Sequence, residues 1–214
     1  MATWADFYPY VLPSVLGCDT DVVDFHLRQA AIEFCARSQA WRQELPITSQ
    51  ANVATYTLPL PAGTQISKLD SFAMLNADGT PCGPYNVVSP ERGRELEREF
   101  IRGDFAYLSD DGLTLTVRPT PDVAGLSLRP YLSLKPAQDP STSRGMPDTV
   151  FAQYAGAISD GALARLFELP KVTWASEAKA TEKRGLFLLA CGSASVIASR
   201  GRARSRTRSR AFLY

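Results

Sequence analysis

MPDTVFAQYAGAISDGALARLFELPKVTW, residues 146–174, is the stretch whose reading decides the fold. Val150, Phe151, Tyr154, Ala155, Ile158, Ala162, Leu163, Leu166 and Phe167 recur at steps of three and four, the period of a helix with one wide apolar face. Pro170 stops that helix, and Trp174 opens a second one running to about residue 199. Gly156 and Gly161 interrupt the first helix at a cost of about 1 kcal/mol each against alanine. With Ala152, Ala155, Ala157, Ala162 and Ala164 around them, they make a smooth surface. Another helix can approach it closely, from within the chain or from a neighbouring copy.

Helical pattern returns near the other end of the chain. Asp19, Thr20 and Asp21 offer a cap and favourable charge at a helix start. Val23, Leu27, Ala30, Phe34, Ser38 and Trp41 then form one buried stripe, and Pro46 closes the segment. Between the two helical regions the period is two. Strands are expected at 54–58 and 66–75, the latter running into the turn Asn76-Ala77-Asp78-Gly79. A hairpin is expected at 105–117 around Asp110-Asp111-Gly112. Leu126, Leu128, Leu132 and Leu134 share one face of a last strand, where Pro130 removes a ladder donor and so predicts an edge position. Ser89 and Pro90 open a short charged helix over 91–100. The expected fold class is α+β. A helical bundle forms from residues 1–46 and 146–199, a small antiparallel β-domain is inserted at 47–145, and residues 200–214 form an extended basic arm.

Composition narrows the function. The chain has 214 residues, 45% hydrophobic and 21% charged, as expected for a globular protein and unlike a chain disordered throughout. Its net charge of +1 conceals an asymmetry. Arg200, Arg202, Arg204, Arg206, Arg208 and Arg210 crowd the last 15 residues, so residues 1–199 carry −5. Cys18, Cys35, Cys82 and Cys191 contain no CxxC pair and read as free thiols of a reducing compartment. The N-terminus lacks the basic start and apolar core of a signal peptide. The longest apolar run, 186–191, is far short of a membrane span, which predicts a soluble protein with no membrane partner.

Catalytic constellations are scarce. His26 is the single histidine, which excludes a multi-histidine metal site, and it reads as a surface or packing residue. No GxSxG or papain-like cysteine signature, phosphate-binding loop or GxGxxG occurs. Asp110-Asp111 sits at a turn and Asp19 and Asp21 at a cap, so neither pair asks for a catalytic explanation. No cofactor, metal or enzymatic activity is expected.

The arginines of the tail fall at every second position and are followed by Ala211, Phe212, Leu213 and Tyr214. In an extended chain they project from one side. Three readings stand: a solvated disordered end, a nucleic-acid clamp, or an arm that orders on a protein partner with its last residues filling pockets. The apolar terminus favours the third, because electrostatic binding to DNA gains nothing from it.

Two segments carry a family resemblance. Met146-Pro147-Asp148-Thr149-Val150, Tyr154, Gly161-Ala162-Leu163-Ala164-Arg165-Leu166 and Leu169-Pro170-Lys171-Val172-Thr173-Trp174 resemble the head-to-tail adaptor proteins of tailed bacteriophages. So does the opening helix, Leu27-Arg28-Gln29-Ala30-Ala31-Ile32-Glu33-Phe34-Cys35 with Ser38 and Trp41-Arg42. The strands near Tyr56 and after Asp111-Gly112 fit the same pattern. The resemblance covers most of residues 20–190 and leaves the arginine-rich tail outside.

It implies a structural virion protein made in the host cytoplasm and built into the neck between capsid portal and tail. Copies would form a ring, a dodecamer, around the DNA channel, with portal protein and tail nozzle or tube proteins as partners. DNA would pass without specific binding. The residues Arg200, Arg202, Arg204, Arg206, Arg208, Arg210, Phe212, Leu213 and Tyr214 would be the portal-binding arm. Gly156, Gly161, Ala162 and Trp174 would serve helix packing or contacts between subunits. The main alternative is a nucleic-acid-binding protein that uses the arginine-rich tail.

Overall fold

The two periodicities resolve into an α+β fold in a computed structural model, which describes residues 1–99, 103–139, 141–143 and 145–200. The chain opens with β1 (Ala2–Thr3), a 3-10 turn (Trp4–Phe7), the one-turn α1 (Tyr8–Val11) and the long α2 (Thr20–Ser38). Five strands follow: β2 (Arg42–Glu44), β3 (Ile47–Thr48), β4 (Thr55–Thr57), β5 (Thr64–Leu75) and β6 (Asn86–Val87). Then come α3 (Pro90–Arg98), β7 (Phe105–Leu108), β8 (Thr114–Arg118), β9 (Ser127–Pro136), β10 (Gly145–Met146), α4 (Asp148–Phe167) and α5 (Glu177–Arg200).

Helix α2 starts where its cap predicts, the Asp19 carboxylate accepting the Asp21 N–H at 3.0 Å. Val23, Leu27, Ala30 and Phe34 are fully buried. The helix stops earlier than the stripe suggests, at Ser38. Gln39 takes a left-handed conformation (φ 53°), and its N–H closes on the Cys35 carbonyl. Trp41 is still buried, but as a sheet residue: its carbonyl accepts the Leu134 N–H as the chain enters β2.

Strand β9 is the centre of one sheet, which corrects the expected edge position. β5 pairs along one side of it, and β2 and β3 share the other, all antiparallel. Pro130 is tolerated there because its missing donor falls at a break in the neighbouring strand. The Leu45 N–H donates to the Pro130 carbonyl, and the next residue, Pro46, separates β2 from β3. The second sheet runs β4-β8-β7-β6, with only the short β6 parallel to its neighbour. Its hairpin of β7 and β8 turns at Asp111-Gly112 as expected. Helix α3 lies close on β7, since a side chain at Gly93 would overlap the Tyr107 ring.

Helices α4 and α5 form an antiparallel pair against α2. The second helix begins at Glu177, capped by Ser176, and not at Trp174, which lies half-buried in the turn before it. Close packing of the pair depends on Gly161, because a Cβ there would sit 2.5 Å from the fully buried Phe187 ring of α5. Gly156, on the same helix, is exposed with open space around it. Across the helices, β1 pairs with β10, where Gly145 (φ 154°) lets the Ala2 carbonyl lie against it. One contiguous core joins these layers, from Trp4 and Phe34 through Leu132 and Leu134 to Phe187.

Gly161→Ala should lower stability by about 1 kcal/mol, overpacking against Phe187 outweighing the gain in helix propensity. Gly156→Ala should raise stability by up to about 1 kcal/mol. Urea unfolding of the two variants checks the opposite signs.

Candidate functional site

Among the described residues no group of three His, Cys, Asp or Glu side chains could hold a metal ion. His26 is half-buried and edge-on to Phe25, and burial lowers its pKa, as does Arg165. A cleft of about 560 Å³ lies between β5 and the turns after β6 and β7. Its charges are already paired, Lys68 with Asp70 at 3.8 Å and Asp110 with Arg94. Cys18, Cys35, Cys82 and Cys191 are all free, and burial pushes the Cys35 thiol up to about 12. An inert protonated thiol is a packing residue. No helix among the described residues is long and apolar enough to cross a membrane.

The polar centre of the helices is Glu33, on the inward side of α2. Arg184 from α5 grips its carboxylate with two bonds of 2.6 and 2.8 Å, Arg165 from α4 donates at 2.8 Å, and Arg37 closes the fourth site at 2.8 Å. With 16% of the side chain exposed, this is a partly shielded anion saturated by three cations. The Arg184 hydrogen bond is the largest cause that pulls the Glu33 pKa down to about 2, against the opposing effect of burial. Sequence reasoning missed this site. Only the Glu33–Arg37 pair has a local signal, the i,i+4 spacing, whereas the other partners lie 132 and 151 residues away.

A second ionic group fixes the end of α5. The Arg42 guanidinium donates to the Ala198 carbonyl at 2.5 Å and lies 3.5 Å from Asp70. The Asp70 carboxylate in turn accepts the Ser133 hydroxyl at 2.5 Å. An arginine from the sheet thus satisfies a last-turn carbonyl of the helix, where cations are favoured. Arg200 is the last described residue, exposed at the end of α5. Arg202, Arg204, Arg206, Arg208, Arg210, Phe212, Leu213 and Tyr214 lie outside the described residues. Ala162 is fully buried beside Gly161, and Trp174 packs on the core with its indole N–H lacking a partner among the described residues.

Two outer helix faces remain apolar. On α2, Val22 and Phe25 are exposed, Phe25 by 51%. On α5, Leu186, Leu188, Leu189, Val196 and Ile197 are exposed, Leu189 by 72%. Large apolar side chains gathered on exposed helix faces mark surfaces for association.

Ion pairs tie these helices together, and apolar side chains face outward from them. The family model described as SU10 adaptor protein matches residues 5–211. The chain belongs to that family of bacteriophage head-to-tail adaptor proteins and is a structural component of the virion that associates with other virion proteins. The match runs further than the resemblance read in the sequence, reaching into the arginine-rich stretch. No curated protein matches the chain.

Glu33 contributes stability that is full above pH 4.5, its ordinary value, and is lost as pH falls towards 2. The loss should be on the order of 2 kcal/mol after allowance for solvent screening. Glu33→Gln should be less stable at pH 7 and lose this acid dependence in denaturant titrations. Arg42→Met should speed amide hydrogen exchange in the last turn of α5 while leaving residues 180–190 protected, as mass spectrometry would read.

Proposed function

We propose that this chain is one subunit of a closed ring, a dodecamer, that joins the capsid portal to the tail and surrounds the channel through which DNA passes. The observation that carries the reading is the family match across residues 5–211. Two apolar outer helix faces support it. A repeated head-to-tail contact closes a ring, and every subunit of it adds one contact to each partner. The body, at −5 over residues 1–199, suits a channel wall that repels the DNA backbone and lets it slide.

In this reading residues 200–214 are the arm that meets the portal protein. Arg200, at the end of α5, is the root of the arm; the arginines beyond it meet carboxylates there, and Phe212, Leu213 and Tyr214 fill pockets. Tail nozzle or tube proteins meet the opposite side of the ring. The domain division at residues 47 and 145 belongs to the same proposal, with helices forming the ring wall and the β-rich segment facing outward or towards tail components.

Truncation after Gly201 tests the arm. The shortened chain should still form rings, yet should no longer co-sediment with portal particles. If truncation instead abolishes binding to mixed-sequence DNA with a log–log salt slope near about −5, the tail is a nucleic-acid clamp. Retained portal binding by the truncated chain would refute the arm.

A further inference from the structure

We propose that the outward face of α5 is the seat of α2 from a second copy of this chain, packed antiparallel in a contact that joins two different surfaces. This rests on the ring reading above and names the faces that would build it.

On α5 the residues pointing away from the core fall at steps of four, three and four: Gly185, Leu189, Gly192 and Val196. That is a heptad-like seam on the side opposite Phe187, Cys191 and Ala194, which the chain's own core covers. It alternates small and large. A side chain at Gly185 or Gly192 would meet nothing within 4 Å, so neither glycine is required by packing inside the chain. No charged residue occurs from 185 to 199. Two glycines within a helix are unfavourable in an isolated chain and become useful when another helix comes close.

The matching surface is on the same molecule. Helix α2 carries an outward seam of Val22, Phe25, Gln29, Ile32 and Ala36, opposite its buried stripe. Its bulky members Phe25 and Ile32 are seven residues apart, as are Gly185 and Gly192. Antiparallel docking that places Phe25 over Gly192 therefore places Ile32 over Gly185 and Val22 beside Val196. The same register puts Arg200 at the Asp19–Asp21 end and Glu182 beside Arg37. Arg200, Asp21 and Glu182 have no opposite-charge partner among the described residues, so the ends of the two seams are complementary in charge as well as shape. A symmetric α5–α5 contact would leave Val22 and Phe25 bare and stop at a dimer. The α5–α2 contact covers both faces and repeats from copy to copy.

The test is disulfide trapping in purified phage particles carrying Phe25→Cys and Gly192→Cys in a Cys18→Ser, Cys82→Ser background. Both positions are exposed, so the variants should fold; Cys35 and Cys191 stay buried, and each of the two cysteine substitutions made alone in that background serves as control. Oxidation should give a ladder of chain multiples on a non-reducing gel from the double variant and none from either control. Leu189→Arg added to the double variant should remove the ladder. Particles that hold the chain but yield only monomer, or nothing above a dimer, would overturn this contact and leave the adaptor reading standing. Wild-type particles lacking the chain would overturn both.

Discussion

The helical part of this molecule is organised by one carboxylate. Glu33 accepts from arginines of three helices, and without it Arg37, Arg165 and Arg184 would face one another as like charges in a partly shielded space. The buried side of α5 offers little else of size, since apart from Phe187 it contributes Ala180, Cys191 and Ala194. Phe187 in the notch at Gly161 sets how near α5 comes to α4. The Arg184–Glu33 pair sets how α5 is turned about its own axis relative to α2. The two together determine which residues of α5 look outward.

The sheets are held to that layer through β9, which carries Leu128, Leu132 and Leu134 to the core and also anchors Asp70 through Ser133. Asp70 positions Arg42, and Arg42 holds the last turn of α5. An ionic relay thus runs from the middle of the sheet to the helix terminus. It joins regions that the apolar core already unites, and it adds direction where apolar packing is indifferent to it.

The elements legible in the sequence were those whose signals are local. Helices α2 and α4 announce themselves by a 3.6-residue stripe, α2 with its aspartate cap, and the β7–β8 hairpin by its Asp-Gly turn. The misreading at Pro130 and the missed site at Glu33 required knowledge of a distant partner. Whether Pro130 sits at an edge depends on where the neighbouring strand breaks, and that neighbour lies some eighty residues earlier in the chain, a separation about which no local pattern speaks. Trp41 looked like the end of a helical stripe because a buried tryptophan looks the same in either period. Gly161 was recognisable as a place of close approach, but the sequence could not say that Phe187 would fill it. Glu33 was invisible as a site, being one ordinary charged residue until the chain folds back twice upon it.

That folding back has a consequence for biosynthesis. Trp4 rests on the Ser143 carbonyl, 139 residues further on, and Glu33 waits for arginines 132 and 151 residues downstream. A growing chain emerges from the ribosome at roughly 5–20 residues per second, so α2 spends many seconds without the cations that neutralise Glu33 or the helices that cover its stripe. Neither outer face has a fixed orientation until the segment through Arg184 has been made.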